Sequence, residues 1–490
     1  MARYDLAIVN GTLVIPGNGL VRADVAARDG RIAAIADAIA PGDADEVIDA
    51  RGRLVFPGAV DAHFHLGIYR PIADDAESET RSALVGGATT AVSYFRTGGH
   101  YLEKTGPYRQ IFPEVLEATA GHAYTDYGYH LALMTSEQIG EVDWLVREAG
   151  VSSFKYFMFY KGLNLSASST DTSSLTMSDS YDLGHLYRMM QAIAAASERY
   201  GSAGRVSLSI HCEHAEIMRT LIAEVRERGL EGLEAYNAAR PPFQERLAIA
   251  EATLLADVTG CPVNLLHLSS GEALAGGMKA QRDYPDRDIR LETTLHHLSL
   301  SYDRLSGLGA KVNPPIRTQA ETEALWRGVL DGSISEVVSD HACCTMDHKG
   351  GGTWEAYAGF GGTGLLYPVL FSEGTRRGLP PVRVAELLSA NPARNFGLYP
   401  RKGTIAIGSD ADLVVLDPEL QAPVTSDRLL SAQDHTPFEG MPLKGWPTHT
   451  IRRGELLFHD GRVVGTRSGQ YIKRPIGLHA SAPVGIGRLT

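Results

Sequence analysis

With 490 residues, the chain is longer than a single hydrophobic core usually serves, so we predict one large domain and a smaller one. Its formal charge of −12 argues against nucleic acids and anionic membranes as partners, since both call for a basic surface. No apolar run approaches the roughly 20 residues that a bilayer-spanning helix needs, so we expect no membrane partner.

The four cysteines indicate a reducing compartment. Cys212, Cys261, Cys343 and Cys344 are too few and too irregularly spaced for a disulfide framework, so we expect free thiols. The first residues, Met1 to Asp5, lack the apolar core of a secretory signal peptide. We therefore expect a cytoplasmic protein.

Short strands and tight turns fill both ends of the chain. Turn dipeptides that are typical of β-hairpins separate apolar runs there: Asn10-Gly11, Asp29-Gly30 and Asp460-Gly461. We predict a small β-sandwich domain assembled from residues 1–55 and 401–465. Residues 466–490 are rich in glycine, proline and basic side chains, and we interpret them as a C-terminal arm that packs on a neighbour.

The central part, residues 56–400, alternates apolar runs with amphipathic stretches of helical period. The apolar runs end near His65, Phe95, Met134, Tyr160, His211, His267, Leu298 and His341. Between them we predict helices over 183–200, 246–259 and 320–330, among others. Eight alternations of strand and helix predict an α/β fold, a (β/α)8 or TIM barrel, with its active site at the carboxyl ends of the strands.

Two histidines end the first of these strands. His63 and His65 are two residues apart, so their imidazoles project from the same face and can bind one metal ion. The pattern is weak alone, but three other predicted strands end in further ligand types, at His211, His267 and Asp340. Because the ends of parallel barrel strands meet at one mouth, we predict a metal site there.

Lys155 lies in the middle of an aromatic strand, where a charged ammonium is costly to bury. Burial lowers the pKa of a lysine and raises its neutral fraction, which can react with carbon dioxide to form a carbamate. A carbamate is a bidentate anion that can bridge two cations. The alternative is a lysine that reaches the barrel rim and keeps its charge in water.

This set of strand-end residues resembles the amidohydrolase superfamily, in its cyclic-amidase branch of dihydropyrimidinases, hydantoinases and allantoinases. Segments across nearly the whole chain carry the resemblance: residues 154–162, 267–270, 313–317, 391–394, 397–404 and 437–440. The resemblance implies two Zn²⁺ ions, with His63, His65 and Asp340 on one ion and His211 and His267 on the other. Carbamylated Lys155 would bridge them.

The resemblance also implies roles in catalysis. Two cations that share a water lower its pKa and so provide a hydroxide that attacks the ring carbonyl. Asp340 would act as base and then as acid, and Tyr160 would hydrogen-bond the developing oxyanion. Asn313 aligns with a position whose backbone contacts the substrate ring in hydantoinases.

The chain departs from the family pattern after the second histidine. Dihydroorotases carry an arginine at the position of Gly67, hydantoinases commonly an aspartate and allantoinases an asparagine, so the glycine argues against an orotate-type substrate. We hypothesise that Tyr69 and Arg70, on the loop after the first strand, line the pocket and select the exocyclic substituent. A solvent-exposed loop pair is the alternative.

The leading interpretation is a zinc hydrolase that opens a hydantoin-type or dihydropyrimidine-type ring. An allantoinase, or a hydrolase of another cyclic imide, is the second interpretation. A non-catalytic scaffold of the same fold is the third, and it is disfavoured because all six ligand positions are present. The resemblance further implies a homodimer or homotetramer.

Overall fold

A computed structural model describes residues 2–160 and 181–479 of the chain. Its centre is a ring of parallel strands surrounded by helices, and two smaller sheets are built from the two ends of the chain. Within the described ranges, no helix is long and apolar enough to cross a membrane.

The parallel ring contains eight strand positions in sequence order. They are Ala59–His65, Ala88–Arg96, Asp126–Ala132, Ser153–Phe157, Ser207–His211, Val263–Leu265, Ile289–Thr294, and an eighth split into Glu336–Val338 and His341–Ala342. The ring closes through the split strand, because its first half pairs with the seventh strand and its second half with the first. The (β/α)8 barrel predicted from the sequence is confirmed.

The longer helices follow the barrel strands along the chain: Ile72–Val85, Tyr108–Thr119, Leu183–Tyr200, Ala215–Glu227, Gly232–Ala238, Pro242–Thr259, Gly271–Asp283, Gln319–Asp331 and Leu366–Arg376. Short ones are Ser136–Ile139, Val142–Trp144, Leu295–Ser299, Pro381–Ala385, Asn391–Asn395 and Ile476–His479. Side-chain caps begin several of them; for example, Asp182 accepts hydrogen bonds from the amides of Gly184 and His185.

Two predicted strand ends differ from the structure. The seventh strand ends at Thr294 rather than near Leu298, because the Thr294 side chain accepts the amide of His297 and begins a short helix. The fourth strand ends at Phe157, and Tyr160 lies in the 3-10 turn that follows it. Both differences are a few residues long, and they place these side chains just above the strand ends.

The two ends of the chain form a β-sandwich, as predicted. Four strands make one sheet, in the order Arg31–Ala36, Asp24–Arg28, Tyr4–Val9 and Ala44–Asp49. Seven make the other, in the order Arg462–Val463, Glu455–His459, Pro442–Arg452, Leu413–Pro423, Leu54–Pro57, Thr12–Ile15 and Gly19–Arg22. Both sheets contribute to one apolar core, for example through Ile8, Val25 and Val415. The exact four-part division of the chain stays a prediction.

The predicted Asn10-Gly11 hairpin is wrong, whereas the other two hairpins form. Positive φ angles at both residues, which this hairpin turn requires, occur at Asp29-Gly30 and Asp460-Gly461. At the first dipeptide only Asn10 has a positive φ, of 62°. The strands on either side therefore enter different sheets instead of pairing with each other.

The described part of the C-terminal arm packs on its own barrel. The amide of Ile472 donates to the carbonyl of Tyr127, and the guanidinium of Arg474 donates to Ser153 Oγ at 2.9 Å. Residues 480–490 lie outside the described residues, so the predicted contact of the arm with a neighbour stays a prediction for that part.

A buried lysine connects the barrel to the sandwich. Lys402 Nζ lies 2.8 Å from a carboxylate oxygen of Asp412, 2.9 Å from one of Asp410 and 2.5 Å from one of Asp126, and the lysine is 1% exposed. Burial alone would lower the pKa of Lys402, but the three carboxylates outweigh it and raise that pKa. The ammonium therefore stays charged and neutralises acids from both parts of the protein.

We predict that Lys402→Met lowers the free energy of unfolding by about 3–5 kcal/mol, because it leaves buried carboxylates without their cation. Urea unfolding followed by circular dichroism measures the change. Lys444→Met is the matched control: Lys444 is exposed and paired with the exposed Glu419, so its loss should cost less than about 1 kcal/mol. Equal losses in the two variants would contradict this role of Lys402.

Candidate metal and active site

A cavity of about 160 Å³ opens at the carboxyl ends of the barrel strands. It is lined by all six predicted ligands and by three of the predicted substrate contacts: His63, His65, Lys155, His211, His267 and Asp340, with Tyr69, Tyr160 and Asn313. The structure thus brings together nine of the ten residues singled out in the sequence.

His63, His65 and Asp340 form one compact group. The Nε2 atoms of His63 and His65 lie 3.0 Å and 3.4 Å from the same Oδ1 atom of Asp340, and one potential ligand atom from each residue falls within 4.8 Å of the others. Asp340 has a φ of +49°, a region that is costly for a residue with a side chain. This strained conformation interrupts the eighth strand beside the histidines.

The far side of each of these imidazoles is held by another side chain. His63 Nδ1 lies 2.7 Å from Glu292 Oε1, and His65 Nδ1 lies 3.1 Å from the Tyr101 hydroxyl. A carboxylate accepts, so Nδ1 of His63 carries the proton and its Nε2 presents a lone pair to the cavity. That lone pair faces Asp340, an arrangement that a cation between the two stabilises.

The pKa of His63 shows that the two carboxylates around this ring favour a positive charge there. Burial alone would lower it, but the carboxylates of Asp340 and Glu292 outweigh burial and raise it to about 8. His65 has no second carboxylate beside it, and burial lowers its pKa to about 4. A divalent ion satisfies both carboxylates without protonating the imidazoles.

His211 and His267 form the second group. His211 Nε2 lies 2.7 Å from Glu213, whose carboxylate also receives Arg240 at 2.8 Å. The acceptor fixes the proton on Nε2, so Nδ1 of His211 carries the lone pair, and it lies 2.8 Å from His267 Nε2. Burial lowers the pKa of His211 to about 4, which keeps the ring neutral. Two neutral imidazole nitrogens this close are well placed to bind one cation.

Lys155 is buried between the two groups at 1% exposure. Its Nζ lies 4.2 Å from the ring centre of Tyr94 and 4.7 Å from that of Phe157, and it forms no ion pair with a carboxylate in the described ranges. Burial lowers its pKa to about 7, so much of the amine is neutral near neutral pH. These surroundings match those that the sequence predicted for a reactive amine.

The other predicted residues have different surroundings. The Asn313 side chain accepts a hydrogen bond from the hydroxyl of Tyr236, and the Tyr69 hydroxyl donates to the carbonyl of Ala358 at 2.6 Å. Arg70 is the one residue that the structure does not bring to the cavity. Its guanidinium donates to Asp75 at 3.1 Å, so its position does not support a substrate contact.

Sequence reasoning did not identify the residues that orient the ligands. Glu292, Glu213, Arg240 and Tyr101 each contact a ligand or its partner, yet none belongs to a recognisable motif. A signal existed for Glu292, because it is an acidic residue in the middle of the predicted seventh strand. A buried strand carboxylate needs a partner, and a histidine ligand is a common one.

The fold and the donor set fit one class of protein: a barrel hydrolase whose strand ends carry side chains of the types that bind divalent metals. The amidohydrolase family model matches residues 170–457. An allantoinase from Rubrobacter xylanophilus is 33% identical over 477 residues, which cover 96% of this chain and 98% of that protein. A D-hydantoinase from Geobacillus stearothermophilus is 31% identical, with 95% and 96% covered. The chain belongs to the amidohydrolase family.

Solved structures give the same relationship. L-hydantoinase from Arthrobacter aurescens superposes with a TM-score of 0.84 at 28% identity, covering 96% of this chain and all of that one. A dihydropyrimidinase from Brevibacillus agri superposes with a TM-score of 0.83 at 26% identity, covering 96% and 98%.

We predict that Glu292→Gln weakens the affinity for Zn²⁺ by about 10- to 100-fold, because it removes the charge that orients His63. Competition with a chromophoric chelator measures the affinity. Glu141→Gln is the matched control: Glu141 is also a buried glutamate, but it accepts the amides of Tyr108 and Arg109 at a helix start. The assigned role of Glu292 would be refuted if both variants bound Zn²⁺ as the unmodified protein does.

Proposed function

We propose that the protein is a hydrolase with two zinc ions that opens a cyclic amide or ureide ring of the hydantoin or dihydropyrimidine type. The observation that carries the proposal is the convergence of six ligand side chains from five barrel strands on one small cavity. The similarity to allantoinases and hydantoinases supports the same reaction class, hydrolysis of a ring C–N bond.

Two groups of side chains would hold the metals. His63, His65 and Asp340 would bind one ion, His211 and His267 the other, and Lys155 would bridge them as a carbamate derived from carbon dioxide. When bound, the two ions supply an activated water and polarise the ring carbonyl. The lone pairs on His63 Nε2 and His211 Nδ1 fit this donor set.

Asp340 is the group that would transfer the proton. Its carboxylate lies at the cavity, and burial would raise its pKa, but His63 and His65 outweigh burial and lower that pKa. An ionised carboxylate can accept a proton from the attacking water and deliver it to the ring nitrogen as the C–N bond breaks. Tyr160, on the cavity wall, would donate a hydrogen bond to the oxyanion that forms on the ring carbonyl.

The cavity wall favours a small substrate ring, because much of its surface is apolar and offers few polar contacts. Ile68, Phe157, Phe159 and Val312 supply apolar surface. At Gly67, a Cβ atom would come within 2.3 Å of Ile72 Cγ1, and the φ angle is +82°. No side chain fits there, so this chain cannot bind a substrate carboxylate at the position where dihydroorotases carry an arginine.

Allantoin is the second candidate substrate, because allantoinases and hydantoinases are similarly close to this chain. Turnover of hydantoin, dihydrouracil, allantoin and phthalimide, measured side by side after supplementation with Zn²⁺ and bicarbonate, tests the proposal. Ring opening of at least one supports it, and no turnover of any by the metal-loaded protein would refute it. The cytoplasmic location and the homodimer or homotetramer stay predictions.

We predict that Tyr160→Phe lowers kcat by about 100- to 1,000-fold with little change in KM, because it removes a donor that acts on the developing oxyanion. Steady-state kinetics on the best ring substrate measure both constants. Tyr187→Phe serves as the control, since Tyr187 lies on the exposed side of a helix away from the cavity. A kcat for Tyr160→Phe equal to that of the control would exclude the assigned role.

We predict that Lys155→Met abolishes a mass increase of one carbon dioxide and reduces the metal bound per chain. Native mass spectrometry in bicarbonate buffer and elemental analysis measure the two quantities. Lys104→Met is the control, because Lys104 is exposed and paired with Glu114. An unmodified wild-type lysine in a fully metal-loaded protein would overturn the bridging role.

A further inference from the structure

Arg96 is a cation at the catalytic edge that the proposed reaction does not use. It is the last residue of the second barrel strand, Ala88–Arg96. Tyr94, two residues earlier, points into the barrel, where its ring contacts His63 and lies over Lys155. Alternate residues of a strand share a face, so Arg96 projects on the same side as Tyr94 and one layer above it. It lies behind Tyr160 of the cavity wall and does not itself line the cavity.

Two residues of the candidate site surround the guanidinium. Its carbon lies 5.4 Å from the ring centre of Tyr160, which lines the cavity. Tyr101 is the other close neighbour, and its hydroxyl contacts the ligand His65. Arg96 therefore lies beside the residue proposed to bind the oxyanion and beside a residue that holds a metal ligand.

The charge of Arg96 has no carboxylate partner among the described residues. Its guanidinium donates to the backbone carbonyl of Thr97 at 3.2 Å and hydrogen-bonds the hydroxyl of Tyr160, and the titratable groups that face it are Tyr160, Tyr101, Tyr181 and His100. Two other arginines with little exposure have carboxylate partners, since Arg240 lies 2.8 Å from Glu213 and Arg205 lies 2.5 Å from Asp288. The buried Arg474 instead donates to Ser153 Oγ and to backbone carbonyls. A guanidinium presents five N–H donors, so those of Arg96 that do not contact Thr97 or Tyr160 are available to a ligand.

We propose that Arg96 binds a carboxylate on the ring substituent of the substrate, which makes the protein selective for cyclic amides with an anionic side chain. This inference rests on the proposed function. A planar guanidinium matches a carboxylate with two parallel hydrogen bonds, and the phenol rings around it exclude water, which strengthens the pairing. The carboxylate would be held at the second strand, since position 67 admits no side chain.

The test compares two ligands that differ only in charge. Hydantoin-5-acetate and hydantoin-5-acetamide are compared as substrates, and their ring-opened products, N-carbamoylaspartate and N-carbamoylasparagine, are compared by calorimetric titration of the metal-loaded protein. We expect the carboxylate to be favoured about 10- to 100-fold in kcat/KM and in affinity, the range for a hydrogen bond to a charged group. Arg96→Gln should remove most of this preference, and Arg96→Lys should retain part of it.

Arg109→Gln is the matched control, because Arg109 is an exposed arginine on the following helix. Its preference for the carboxylate over the carboxamide ligand should equal that of the wild type. If Arg96 only supports Tyr160, Arg96→Gln will lower the turnover of both substrates equally. The ratio of their kcat/KM values would then stay unchanged, which would overturn the inference. The inference would also be overturned if the wild-type protein did not favour the carboxylate ligand, and this comparison needs no variant. A protein that binds the carboxylate product selectively but opens neither ring would refute the proposed function and leave the anion site standing.

Discussion

The site depends on buried carboxylates that orient neutral imidazoles. Glu292 accepts from His63 Nδ1, and Glu213 accepts from His211 Nε2, so each ring turns one defined lone pair to the cavity. Burying these acids is costly, and the cost is offset differently at the two sites. Glu213 is paired with Arg240, whereas the hydrogen-bond partners of Glu292 among the described residues are His63 and the amide of His267. The cation proposed to bind these rings would complete the neutralisation on the Glu292 side.

The barrel, and the convergence of the six proposed ligand side chains on one cavity, could be predicted from the sequence because both follow from local patterns. His63 and His65 needed only strand alternation, and each remaining ligand ends its own apolar run. The orienting residues could not be predicted in this way, since Glu292 reaches His63 across 229 positions of sequence and only ring closure brings them together. The Asn10-Gly11 hairpin failed for a related reason: the dipeptide favours a turn, but packing into two different sheets decided the backbone conformation.

Arg70 shows why loop residues are harder to assign than strand residues. Its position on the loop after the first strand suggested a pocket contact, yet its guanidinium lies 3.1 Å from Asp75 and 3.6 Å from Glu79, and Arg70 does not line the cavity. Two buried acids on the following helix attract the arginine more strongly than an open cavity does. In a loop, the direction of a long side chain is set by such partners and not by the period of the backbone.

The wall opposite Tyr160 is held by buried lysines. Lys311 Nζ donates to the carbonyls of Thr353 and Ala356, and Lys349 Nζ donates to those of Tyr357 and Gly359. Because Ala358 and Gly359 line the cavity, this wall is fixed by hydrogen bonds from ammonium groups, and Tyr69 adds one more to Ala358. A substrate must therefore fit a preformed wall. Discrimination between substrates then falls on groups beside the cavity that have unused hydrogen-bonding capacity. Arg96, next to Tyr160 and without a carboxylate partner among the described residues, is the strongest such group.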